Sequence, residues 1–213
     1  MDDDRLAATK VLDFLPLAER LKFELRHSWL SNGRQESVAE HTWFLILMAV
    51  LTHKRLEQPV DFGRVLAMLA VHDLGEAEIG DIPFFESSDR QSQKATQEQA
   101  AMDRIAQMLP DPEGETVRQL WLEFEDGHTA ESKFARALDH LEVQAQHNLA
   151  EFSTWEPVEH ELVYTKMDSR CAHDGFLKLL LSEIRNQSES KMADGGIDVA
   201  SLKTRLKLSN PSW

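Results

Sequence analysis

A single cysteine, Cys171, leaves the chain no internal disulfide. It is read as a buried small hydrophobe, and a reducing, cytoplasmic setting fits it. Long apolar runs are missing. The longest, residues 43–51, falls far short of the ~18 residues that a membrane span needs. Glycine and proline are few, 9 and 7, and fall between periodic segments. Positive charge is scarce: 23 Lys and Arg against 37 Asp and Glu give a formal net charge of −14. Such a surface excludes a nucleic-acid polymer as partner, because binding needs a basic face that displaces counterions. It also excludes an anionic membrane surface. A small anion stays admissible where local cations or a metal ion outweigh the overall field. The opening Met1-Asp2-Asp3-Asp4 is the opposite of a signal peptide's basic start.

What is present reads as helix. Strand-like alternation is scarce, and apolar residues recur at helical spacing. At 213 residues the chain is expected to form one domain, at roughly 150 residues per domain, with a small appendage. The pattern predicts an all-α bundle. A first helix is expected over about 6–25, then a polar stretch. Ser37-Val38-Ala39-Glu40 has the form of a capping box and opens a helix over about 38–56. Asp61 caps a third helix reaching His72-Asp73 and breaking near Gly75 or Gly80. Ser87 or Ser88 starts the next, which ends near Leu109. Another spans about 113–125 and stops at Gly127. Thr129 caps a long helix to about Phe152, and a penultimate helix covers about 168–185. Residues 1–186 are read as the functional domain. Residues 187–213 are read as a polar linker and a short helix packed on the domain or on a partner subunit.

His72-Asp73 follows the apolar stretch 66–71, so a buried imidazole and carboxylate meet near a helix end. That is costly unless they are hydrogen-bonded or bound to a metal. His41 stands in the first turn of the apolar second helix. Asp139 sits inside a late helix among Phe134, Leu138 and Leu141, where Asp is unfavourable and needs a partner. Two imidazoles and two carboxylates on three helices can close around one divalent ion, of which Mn, Fe, Co, Ni or Zn suit the donors. Glu76, one turn beyond His72, could take a proton from a metal-bound water. Asp81, in the Gly80-Asp81-Ile82-Pro83 loop, could protonate a leaving oxygen. Arg26 and Arg34 are candidate phosphate forks. A second dipeptide, His173-Asp174, lacks the apolar lead-in and is read as surface-exposed.

Together, His41, His72-Asp73 and Asp139 resemble the HD-domain metal-dependent phosphohydrolases, and most closely their 5′-deoxynucleotidases of the YfbR type. Glu36-Ser37-Val38-Ala39-Glu40-His41 looks like that group's first signature. His72-Asp73-Leu74-Gly75-Glu76 through Pro83 looks like its second. The resemblance implies an HD-domain helical bundle, usually a homodimer, that releases phosphate from deoxynucleoside 5′-monophosphates with one divalent metal ion (Mn, Co, Fe, Ni, Zn or Mg). His41, His72, Asp73 and Asp139 would be the metal ligands. Glu76 and Asp81 would be catalytic, and Arg26 would bind substrate near its phosphate. The family's Trp after this Arg is His27 here, so Trp29 is the expected wall of the sugar pocket. Only His128 lies between Asp73 and Asp139 among histidines, which fits a mononuclear site. Two other readings stand beside this one: a pyrophosphohydrolase or triphosphohydrolase acting on alarmones or dNTPs, and a non-enzymatic helical metal-binding module.

Overall fold

The computed structural model describes residues 2–83, 85 and 89–207. Its elements run α1 (Asp2–Ala18), a 3-10 turn (Glu19–Lys22), β1 (Leu25–Trp29), β2 (Gln35–Ser37), α2 (Val38–Thr52), α3 (Phe62–Val71) and α4 (Glu76–Ile79). They continue with α5 (Asp89–Met108), α6 (Glu113–Asp126), α7 (Ala130–Leu149), α8 (Pro157–Thr165), α9 (Asp168–Cys171), α10 (Gly175–Asp194) and α11 (Val199–Arg205). The all-α expectation holds, with one small antiparallel hairpin added. No described helix is long and apolar enough to cross a membrane.

The helix ends follow local chemistry. The Ser37 hydroxyl accepts from the Glu40 N–H, and the Glu40 carboxylate accepts in return from the Ser37 N–H at 2.9 Å. Asp61 caps α3 by accepting from the Arg64 N–H and Thr129 caps α7 by accepting from the Ser132 N–H, each as a one-way cap. Gly127 ends α6 in the left-handed conformation, which glycine adopts without a Cβ clash. An N-cap of this type contributes about 1 kcal/mol.

α7 lies at the centre, packed against α2, α3, α6 and α10. Phe134, Leu138 and Leu141 on it are essentially fully buried, beside Leu45 of α2 and Met68 and Leu69 of α3. Each such side chain stabilises the fold by roughly 1.5–3 kcal/mol relative to exposure. A second cluster seats Phe14, Leu17 and Leu21 on Met102, Ile105 and Trp121. A third gathers Trp155, Val163, Tyr164, Met192 and Leu202, and so docks α11 on the domain.

Several expectations require correction. The first helix stops at Ala18, and residues 25–29 form a strand paired with β2. The hairpin turns at Gly33, whose φ is +83°, while Asn32 Oδ1 accepts from the Arg34 N–H. A strand of five residues is too short to show alternation above the noise of a helical chain. α7 ends at Leu149, a little before Phe152. The expected start at Ser87 or Ser88 lies outside the described residues. The penultimate helix is broken, with α9 separated from α10 by Ala172-His173-Asp174. Asp174 is buried, and only His173 is exposed. One Asp174 oxygen caps α10 through the Leu177 N–H and the other accepts from the Glu57 N–H.

The polar linker over 187–194 is instead the last two turns of α10. Its polar residues are solvated on one face. On the other, Met192 is buried, and the buried Ser188 hydroxyl donates to Asn148 Oδ1 at 2.8 Å. Tertiary partners on α7 therefore hold a helix that composition alone disfavours. Cys171 is buried as read.

Candidate active site

Three chain segments meet at one point. His41 projects from the first turn of α2, His72 from the C-terminal cap of α3, and Asp73 from the turn that follows. Asp139 comes from the middle of α7. Asp73 Oδ2 lies 3.0 Å from His72 Nε2 and 3.8 Å from His41 Nε2. Asp139 Oδ1 lies 3.3 Å from His41 Nε2. His41, His72 and Asp73 offer ligand atoms close enough to share one ion. Asp139 reaches the same His41 nitrogen from α7.

The remaining imidazole nitrogens are committed elsewhere. His41 Nδ1 sits 2.5 Å from Glu142 Oε2, one turn beyond Asp139 on α7. His72 Nδ1 sits 2.8 Å from the Leu69 carbonyl. Each ring thus gives its Nδ1 proton to an oxygen and turns Nε2 into the site. Both Nε2 atoms are buried and make no hydrogen bond. That arrangement is what a metal ligand needs, because an outer carboxylate or carbonyl fixes the tautomer and raises ligand basicity. Two orphaned imidazole nitrogens facing two carboxylates are costly without a cation, so the residues present fit a divalent ion. A second ligand-type group, Glu36, His41 and Glu142, shares His41. There Nδ1 is already occupied by Glu142, and the three are buried behind the site. His128 is exposed on the surface.

The electrostatics follow from crowding. Burial and Arg26 push the His41 imidazolium down, but Glu142 and Asp139 outweigh them and hold its pKa up at about 10. Burial raises Asp73, yet His72, Arg26 and His41 carry it well below the usual carboxylate range. Glu76 goes the other way. It is 3% exposed at the start of α4, and burial with neighbouring Asp73 and Asp81 raises its pKa well above normal. Its Oε1 lies 3.7 Å from Lys94 Nζ, and its Oε2 has no hydrogen-bond partner. Arg26 Nη1 donates to Asp73 Oδ2 at 3.3 Å and lies 3.9 Å from Asp81 Oδ1.

These groups open on a cavity of about 300 Å³, the lower end of the range for small-molecule sites. Asp73, Glu76, Asp81 and Asp139 line it, with Arg26, Lys94 and Lys166 as cations. Ile82, Phe85, Val143 and Leu162 give it apolar wall. Two expected residues stand apart. Arg34 is exposed and paired with Glu40 at 3.0 and 2.5 Å. Trp29 is outside the lining; His27 takes the wall, and Trp29 stands behind it with ring centroids 4.8 Å apart. Alternation along a regular strand would set both rings on one face, but the pairing of β1 is irregular between Leu25 and Trp29, and the Gln146 amide donates to the Trp29 carbonyl at 2.7 Å. Sequence reasoning missed Glu142, His140, His147, Glu159 and Lys166. Glu142 carried a signal, a carboxylate on the apolar face of α7 beside Leu138 and Leu141.

Comparison with known proteins agrees with this geometry. The family model described as "HD domain" matches residues 18–179. The chain is 34% identical over 142 residues to "5′-deoxynucleotidase HDDC2" of Xenopus laevis, covering 66% of this chain and 69% of that one. It is 32% identical over 157 residues to the Homo sapiens protein of the same name, covering 72% of each. A crystal structure of a predicted metal-dependent phosphohydrolase from Magnetospirillum magnetotacticum MS-1 superposes with a TM-score of 0.75 at 28% identity. That match covers 89% of this chain and 94% of the other.

Proposed function

The chain belongs to the HD-domain family, and from that premise we propose that it is a metal-dependent phosphohydrolase that releases phosphate from (deoxy)nucleoside 5′-monophosphates. The observation that carries this reading is the pair of buried, unpartnered imidazole Nε2 atoms facing Asp73 and Asp139 at the end of a nucleotide-sized cavity. His41, His72, Asp73 and Asp139 would hold one divalent ion. Two imidazoles with carboxylate oxygens suit Mn, Fe, Co, Ni or Zn, and Mg to a lesser degree. When bound, such an ion polarises a phosphoryl oxygen and acidifies a water.

The chain's own residues would do the rest. Arg26, anchored by Asp73 at 3.3 Å, presents its guanidinium to the phosphate and meets the charge that grows on it. Glu76 orients the attacking water and takes its proton as the new P–O bond forms. Asp81, 3.9 Å from Arg26 Nη1, gives a proton to the 5′-oxygen as the old P–O bond breaks. Charge balance favours a monophosphate. The lining cations stand among Asp73, Glu76, Asp81 and Asp139, which leaves little positive charge for a second or third phosphate. The non-enzymatic reading loses support because two acids beside the ligands open on a cavity instead of closing the site.

The test is phosphate release from a panel of deoxy- and ribonucleoside monophosphates after chelation, with Mn, Co, Zn or Mg added back. Release that needs added metal and vanishes in His72→Ala/Asp73→Ala protein is expected. With nucleoside triphosphates and alarmones added to the panel, pyrophosphate or triphosphate as the product would move the assignment to the longer-chain hydrolases. No release at all, with metal bound, would overturn it.

The proposal includes a homodimer in the cytoplasm, where the buried Cys171 thiol stays reduced. α1 and the turn after it leave Leu6, Leu12, Leu15 and Phe23 more than half exposed, apolar surface that a second copy would cover. Sedimentation equilibrium should give twice the 24.3 kDa chain mass; a monomer at tens of micromolar would contradict it.

A further inference from the structure

We propose that Glu159, with His27 and His147, forms the nucleoside-reading end of the cavity, where a hydrogen-bond donor on the substrate's sugar or base is held. This rests on the monophosphate reading above for the identity of the ligand. The three residues come from α8, β1 and α7, and all line the cavity. Glu159 Oε2 is fixed, because it accepts from the Glu156 N–H at 2.6 Å and completes the cap of α8. The other oxygen, Oε1, lies 3.6 Å from His27 Nε2 and 3.7 Å from His147 Nδ1. Both distances exceed a hydrogen bond. His27 Nε2 is buried without a partner. A free oxygen on a pinned carboxylate, faced by two imidazole nitrogens that do not reach it, is a site built for a third party.

The chemistry of that third party follows from the charges. Burial pushes His147 down to about 4 and lowers His27 as well, so both rings are neutral. Burial raises Glu159 itself to about 7, so the site carries no cation to hold a phosphate and suits an uncharged hydroxyl or N–H. Arg26 and Lys94 hold the positive charge among the metal-site acids. A nucleotide then has one orientation, with phosphate toward Arg26 and nucleoside toward Glu159. The His27 ring is held edge-on between Trp29 and Phe85, at 4.8 and 4.9 Å, so its nitrogen does not swing away. A buried acceptor that reads a donor discriminates strongly against a substrate lacking it, since the acceptor is then left unpaired.

The experiment compares wild type with Glu159→Gln on the nucleotide panel, extended by a 3′-deoxynucleotide. Gln keeps the cap, because its carbonyl oxygen can still accept from Glu156, but turns a donor group toward the cavity. The expected result is a kcat/KM loss of about 10- to 100-fold, falling mainly on KM. Whichever wild-type comparison shows the same loss identifies the donor: the 3′-deoxynucleotide for the sugar, a change of base for the base. His27→Phe keeps the ring between Trp29 and Phe85, and it should shift the same ratios if Glu159→Gln fails to fold. Ratios unchanged within about threefold in either folded variant would overturn the assignment. Calorimetric titration with the product nucleoside separates the two proposals. If wild type releases no phosphate yet binds nucleoside more tightly than Glu159→Gln, the hydrolase reading falls and this one stands. If it does neither, both fall.

Discussion

Asp73→Asn should abolish metal-dependent phosphate release and weaken divalent-ion binding by on the order of 100-fold or more. The effect is large because three positive or ligating groups converge on one oxygen. Asp73 Oδ2 is 3.0 Å from His72 Nε2, 3.3 Å from Arg26 Nη1 and 3.8 Å from His41 Nε2. Asn keeps the shape but presents no charge, and either amide orientation offers at most one weak oxygen. Arg26 also loses its anchor, so the phosphate contact should loosen with the metal. The direct readout is thermal unfolding. Wild type should gain stability on adding the ion, by about 2.7 kcal/mol at one hundred times its dissociation constant. Asp73→Asn should show almost no gain while keeping a helical circular dichroism spectrum. An equal metal-induced shift in both proteins would remove Asp73 from the ligand set.

Glu76→Gln should keep both fold and metal, yet lower kcat by about 10²- to 10⁴-fold, the usual contribution of a positioned acid–base group. Glu76 stands at the start of α4, one turn beyond His72 but outside the ligand cluster. Its raised pKa follows from burial beside Asp73 and Asp81. A base must be deprotonated to work, so wild-type activity should rise with pH on the acid limb. Gln does not titrate, so that limb should vanish in the variant. A metal-loaded Glu76→Gln within tenfold of wild type, with the acid limb intact, would show that another group takes the proton. Measuring the metal shift and the rate on the same preparations separates the two residues: Asp73→Asn loses both, Glu76→Gln only the second.

How much of this was legible in the sequence depended on sequence distance. The caps at Ser37, Asp61 and Thr129, and the stop at Gly127, were readable because each is settled within four residues. The four candidate ligand residues were readable because a polar group amid an apolar helical run is locally anomalous. Their separation across α2, α3 and α7 posed no obstacle, since each run announced itself. The hairpin was not readable, because its two short strands are held by each other and by α7. Nor was the helix over 187–194, which Met192 and Ser188 keep folded by contacts some forty residues back along the chain.

The same division runs through the site. The sequence by itself determined the helical class, the net acidic charge, and the residues that are candidates to hold an ion. Only the tertiary structure decided how they are aimed. Glu142 reaches His41 across 101 residues, and Glu159 of α8 faces His27 at 3.6 Å, just short of a hydrogen bond. Local patterns record what each segment prefers alone, whereas the tautomer of an imidazole or the partner of a buried oxygen is set by whichever side chain the folded core brings within about 3 Å.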